Sequence, residues 1–178
     1  EEQAVRFVAG DGGNDLLAMG IDPGNAICGY GFVELNGNSL HGAGFGVVRT
    51  TPAMRREERL LVLYEKINDL IRERQPDVVG VEKLFFSRNV TTAMTVSEAR
   101  GVILLAVEMN RTPLIELTPL QVKQAVVGYG QATKEQVTYM TQRLLCLEKK
   151  PTPDDAADAL AIAICSAHCR SVEKIWRG

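Results

Sequence analysis

The 178-residue chain lacks several of the features that mark common protein classes. Aromatic residues make up 6% with a single tryptophan, and no apolar run approaches the roughly 18 residues a membrane-crossing helix requires. Residues 1–15 hold no basic stretch followed by an apolar one, so no signal peptide is expected and a cytoplasmic location is. The four cysteines, Cys28, Cys146, Cys165 and Cys169, include no CxxC pair, so free thiols in a reducing compartment are expected. A zinc set of Cys165, His168 and Cys169 would lack a fourth ligand. Positive charge is not in excess either: 20 Lys and Arg against 22 Asp and Glu give a net charge of −2. On its face this argues against a polyanion-binding surface.

What is present suits a globular fold, with 46% hydrophobic and 24% charged residues over about the length of one domain. Residues 1–15, with their Gly-Asp-Gly-Gly cluster, read as an extension or disordered segment, and residues 16–178 as a single domain. Leu16 to Asp22 is an apolar strand stopped by Pro23-Gly24. Cys28 to Leu35 and Leu40 to Thr50 are two more strands joined by an Asn-Gly turn. Leu60, Leu63, Ile67, Leu70 and Ile71 then recur at helical spacing from about Arg55 to Arg74. A β-branched run from Asp77 to Leu84 predicts a fourth strand, Asn89 to Asn110 a long apolar helix, and Pro113 to Leu117 a fifth strand. Three helices follow; Thr118-Pro-Leu-Gln121 and Thr133-Lys-Glu-Gln136 are capping boxes, and Thr152 to Asp155 opens the last helix in a similar way. The order βββαβαβααα is satisfied by a five-stranded mixed sheet with helices on both faces, an α/β architecture.

Acids stand where apolar residues are expected. Asp22 ends the first strand and Glu82 lies near the end of the fourth, in Val79-Gly-Val-Glu82. If those strands are parallel neighbours, both carboxylates emerge at one sheet edge, where open α/β sheets bind their ligands. Asp155 and Asp158, three apart, share a face of the final helix beside alanines that permit close approach to a sheet. Four such carboxylates brought together are unstable without cations, and hard oxygen donors suit Mg²⁺ or Mn²⁺. Asp154 reads as a helix-start residue favoured by the dipole.

The segments GIDPG, VVGVEKLFF, NVTTAMTVSEARG, QVKQAVVGYGQATKEQV and DDAADALAIAI together resemble the bacterial RuvC Holliday-junction resolvases, in the family's order from about Met19 to His168. The resemblance implies an RNase H-like (retroviral-integrase-like) fold. It also implies a homodimer that cuts four-way DNA junctions by paired symmetric nicks, with two Mg²⁺ per subunit that Mn²⁺ can replace. Asp22, Glu82, Asp155 and Asp158 match its metal-binding acids and Lys123 and Lys134 its two functional lysines. Phe85 matches the aromatic that holds the junction near its crossover, and Arg88 is a candidate phosphate contact. RuvA and RuvB, the branch-migration proteins, are the partners the resemblance implies. Competing readings are another RNase H-like nuclease, such as one processing ribosomal RNA precursors, a non-catalytic junction-binding protein, and an actin-like ATPase fragment suggested by Gly-Ile-Asp-Pro-Gly. The chain is too short for the two-lobed fold of the last.

The net charge hides an asymmetry. Residues 1–82 carry 8 basic and 13 acidic residues, whereas 83–150 carry 9 and 5. A basic middle and cation-neutralised acids are compatible with local DNA contact despite the acidic total.

Overall fold

The computed structural model describes residues 15–84 and 90–177. The reading of residues 1–15 as an extension therefore falls almost wholly outside the described residues, as do Phe85 and Arg88. Five strands, β1 (Leu16–Asp22), β2 (Ile27–Asn36), β3 (Ser39–Arg49), β4 (Val78–Glu82) and β5 (Leu114–Leu117), form one sheet in the order β3-β2-β1-β4-β5. The first three are antiparallel neighbours, and β4 and β5 run parallel to β1. Helices α1 (Arg56–Arg74) and α2 (Val90–Met109) connect the parallel strands, followed by α3 (Pro119–Val127), α4 (Lys134–Leu144) and α5 (Asp154–Arg177). This is the expected RNase H-like arrangement, with one local correction. β4 ends at Glu82, so Lys83 and Leu84 are not strand residues. The start of α5 is held by the Pro153 carbonyl, which accepts from the Ala156 and Ala157 amides at 3.0 and 3.3 Å.

Strand alternation divides β1 between two cores. Met19 and Ile21 face Phe32, Ile67 and Ile103 under α1 and α2, whereas Leu16 and Ala18 face Leu160 and Ile164 of α5. β4 repeats the pattern, with Val79 and Val81 on the first side and Val78 on the second. By the same parity Gly20, Asp22, Gly80 and Glu82 all belong to the α5 side. The helices are fixed by local chemistry that the sequence announces: Thr118 and Thr133 each accept from the amide of the glutamine three residues on, and that glutamine accepts from the threonine amide. α1 stops at Gln75, which adopts the left-handed conformation (φ 48°) just before Pro76. Asp77 then registers β4 against β1, its amide donating to the Leu17 carbonyl and its carboxylate accepting from the Leu17 amide. None of the helices among the described residues is long and apolar enough to cross a membrane.

α5 lies almost directly on the sheet. A Cβ added at Gly20 would overlap the Ala159 carbonyl and the Ala163 amide, and one at Gly80 would overlap the Ser166 hydroxyl. Ala156, Ala159, Ala163 and Ala167, all fully buried, supply the matching small face of the helix. Gly20→Ala is therefore expected to cost about 3 kcal/mol in chemical denaturation, because backbone and not a flexible side chain blocks the new methyl. Gly101→Ala, where α2 has open space, should change stability by less than about 1 kcal/mol, and in the favourable direction. Equal effects at the two positions would contradict the close-approach account.

Candidate active site

Asp22 and Glu82 are brought together by register. Gly20 pairs with Gly80 and Ile21 with Val81, so the next residues on β1 and β4 are the two acids, at one edge and facing α5. The first turns of α5 pass over that edge. Gly29, the antiparallel partner of Asp22, has no room for a Cβ because the Asp155 carbonyl occupies the space. The two glycine positions that precede the strand acids by two residues, and the small residues between the helix acids, thus let the first turns of α5 lie close over the end of β1 and β4.

A cleft of about 200 Å³ opens here, its lining including Asp22, Glu82, Asp158, Lys123 and Lys134. Asp155 is not part of that lining, but its charge acts on Asp22. Lys134 is the first residue of α4, a position where the helix dipole disfavours a cation. Its ammonium is held there by Asp158 at 3.0 Å and by Asp154 at 3.5 Å. Sequence reasoning assigned Asp154 only to the start of the helix; it is the first residue of α5 and also an ion-pair partner of Lys134, a role no local signal in the sequence marks. The Thr133 cap and Gln136, whose Oε1 also accepts from the Tyr129 hydroxyl at 3.0 Å, fix the backbone that carries Lys134.

Burial pushes the Asp22 carboxyl up to about 7, helped by the negative charges of Asp158, Glu82 and Asp155 and opposed by Lys134. Burial also raises Glu82, with Asp158 adding to the effect and Lys123 opposing it. Asp158 is raised by burial against the hydrogen bond and charge of Lys134, and Lys134 is itself raised, chiefly by its hydrogen bond to Asp158. The Cys28 thiol, close enough to feel Asp22 and Asp155, is pushed up to about 12 by burial and stays protonated, which removes it as a nucleophile. Among the described residues no three acids, histidines or cysteines already converge into a coordination sphere. The donors nevertheless fit a hard divalent cation: all are carboxylates, and crowding them raises the free energy of their ionised forms, which a dication would reverse.

The sign of the Asp22 shift sets a pH dependence. A carboxyl with a folded-state value near 7 against an ordinary value of 3.8 contributes stability below about pH 4 that is lost as pH rises through about 7. In chelator, Asp22→Asn is therefore expected to match the parent protein near pH 4 and to exceed its stability by on the order of 2 kcal/mol at pH 8. Adding Mg²⁺ at pH 8 should raise the melting temperature of the parent and leave that of Asp22→Asn nearly unmoved. Thermal unfolding across pH checks both; a pH-independent difference between the two proteins would show that Asp22 is not buried among like charges.

The family model described as crossover junction endodeoxyribonuclease RuvC matches residues 18–166. A crossover junction endodeoxyribonuclease RuvC from Alkaliphilus metalliredigens is 49% identical over 162 residues, covering 91% of this chain and 99% of that protein. The structure of Thermus thermophilus RuvC superposes with a TM-score of 0.83 at 34% identity, over 89% of this chain and 97% of that one. The same organism's RuvC in complex with a Holliday junction substrate gives 0.81 at 32%, over 88% and 96%. With most of its length matched by the family model and about half of its residues shared with a full-length relative, the chain belongs to the RuvC family of crossover junction endodeoxyribonucleases.

Proposed function

We propose that residues 16–178 form a nuclease unit that resolves four-way (Holliday) DNA junctions by paired, symmetric nicks, with water as nucleophile and Mg²⁺ as the physiological cation. The observation that carries the reading is the edge where register sets Asp22 beside Glu82, in one cleft with Asp158, Lys123 and Lys134 and within reach of the charge of Asp155. A relative of 32% identity described in complex with a Holliday junction substrate supports the choice of DNA over RNA.

Asp22, Glu82, Asp155 and Asp158 would hold two divalent cations, which when bound supply charge neutralisation at the scissile phosphate and a readily deprotonated water. Oxygen of the attacking water bonds to phosphorus, the bond to the 3′ oxygen breaks, and that oxygen leaves protonated, giving 5′-phosphate and 3′-hydroxyl ends. In the protein alone Lys134 neutralises Asp158; with substrate and cations in place, its ammonium is free to face the phosphate. Lys123, whose charge already acts on Glu82, does the same from α3. Fixed cations aimed at an anion that gains charge in the transition state contribute to rate without reorganisation. Phe85, three residues beyond Glu82, is assigned on the family resemblance to stacking with unpaired bases at the branch point, and Arg88 to a phosphate. RuvA and RuvB as partners rest on that resemblance as well.

Symmetric nicks need two sites related by a dyad. α2 buries Ala99, Ile103, Ala106 and Val107 against the sheet, yet leaves Met94, Leu105 and Met109 more than half exposed. These lie at i, i+11 and i+15, close to one stripe of the helix, which suits a second copy of the chain.

Cleavage of a mobile four-way junction, linear duplex and structured RNA in Mg²⁺ tests the assignment. The junction should be cut in preference to the other two, and Asp22→Asn should lose at least about 10³-fold in rate. Comparable cutting of duplex or RNA would sink it. Lys134→Ala and Lys123→Ala are expected to fold normally and to slow cleavage of saturating junction by about 10²-fold each. For the dyad, Leu105→Arg should convert dimer to monomer in sedimentation analysis; an unchanged dimer would place the interface elsewhere.

A further inference from the structure

Arg100 lies on α2 outside the cleft lining, yet its guanidinium reaches two strands at once. Its Nε donates to the main-chain carbonyl of Glu82 at 3.3 Å, and a terminal nitrogen donates to Glu116 Oε1 on β5 at 2.6 Å. The Arg100 side chain is only 17% exposed, and its bond to the Glu82 carbonyl is part-buried, whereas the charge-assisted bond to Glu116 is made at the surface. Glu82 is the last residue of β4, and strand ends are where sheets open first. This end is held on one flank by β5, through the pairing of Glu82 with Leu117 and the bond from the Lys83 amide to the Leu117 carbonyl at 2.7 Å. Arg100 closes it from the α2 side. Its bond to Glu82 is made to the main-chain carbonyl, so its action is on the peptide.

We propose that Arg100 is a positioning residue for Glu82, a clamp from α2 to β5 that fixes the main chain at the end of β4 so that the carboxylate is presented beside Asp22. The assignment rests on the proposed cation-holding role of Glu82. It depends on the planar fork of arginine, which serves two acceptors in different directions with little further loss of freedom; a lysine keeps the charge and loses that geometry. Because α2 also carries the exposed Met94, Leu105 and Met109 stripe, whatever seats α2 also seats the end of β4 through this residue.

Full-length Arg100→Ala, Arg100→Lys and Glu116→Ala decide the matter with two readouts besides activity. These are hydrogen exchange at the Lys83 amide in chelator and Mg²⁺ affinity by titration calorimetry, with junction affinity measured in Ca²⁺. Arg100→Ala is expected to speed Lys83 exchange and to weaken Mg²⁺ binding about ten-fold, the low end of what loss of a ligand-orienting partner costs, at unchanged junction affinity. Arg100→Lys should recover less than half of either effect. Glu116→Ala, at an edge strand that tolerates change, should shift both in the same direction by about threefold and carries the test if Arg100→Ala does not fold. Unchanged exchange and Mg²⁺ affinity in a folded Arg100→Ala or in Glu116→Ala, or full recovery with lysine, would overturn the clamp. If the parent protein binds Mg²⁺ no better than Asp22→Asn, the cation reading has failed, while Lys83 exchange still decides whether Arg100 holds this strand end.

Discussion

The approach of α5 to the sheet is the constraint on which the rest of the structure depends. The helix backbone itself meets β1 and β2, because Gly20 and Gly29 leave no Cβ between them and the carbonyls of Ala159 and Asp155. Only at this spacing do short aspartate side chains from the first turns of α5 act on Asp22 and the cleft beside Glu82. A helix held a methyl group further out would still bury its Leu160, Ile162 and Ile164, and so would still fold, but its acids would be displaced from the sheet edge. Packing and chemistry thus share a single geometric requirement, met by glycine on the sheet and alanine on the helix.

That geometry gathers like charges, which the fold by itself opposes. Burial and mutual repulsion raise Asp22, Glu82 and Asp158 together, and the charges of Lys134 and Lys123 offset part of the cost. Lys134 stands at the start of α4, where the dipole works against it, and its ion pair with Asp158 gives it reason to be there. The crowding costs stability in the protein alone, a cost that the cations of the proposed function would relieve.

Much of this is legible in the chain. The capping boxes of α3 and α4 are read from four residues each, since the bonds they make are local. The four acids stand out because carboxylates in Val79-Gly-Val-Glu82 or Ala156-Ala-Asp158 are costly to bury without a partner. A signal that sequence reasoning left unused is the glycine two residues before each strand acid, Gly20 before Asp22 and Gly80 before Glu82, which strand parity places under the same helix. β4 is shorter than its sequence pattern predicts: Lys83 and Leu84 prolong an apolar, β-rich stretch, but pairing with β5 stops at Leu117, where Thr118 caps a helix.

Local chemistry written in the sequence determined where the capped helices start, which faces are apolar, and which acids are out of place. The family resemblance carried by the acid motifs was equally a property of the chain alone. Tertiary structure decided everything that depends on distance between remote segments. It set the β1 to β4 register that makes neighbours of Asp22 and Glu82, the ion pairs of Lys134 with both Asp154 and Asp158, and the reach of Arg100 from α2 to β4 and β5. The physical reason is that capping, alternation and turn chemistry act over a few residues. A carboxylate's proton affinity and an arginine's partners are set instead by whatever the folded chain brings within a few ångströms.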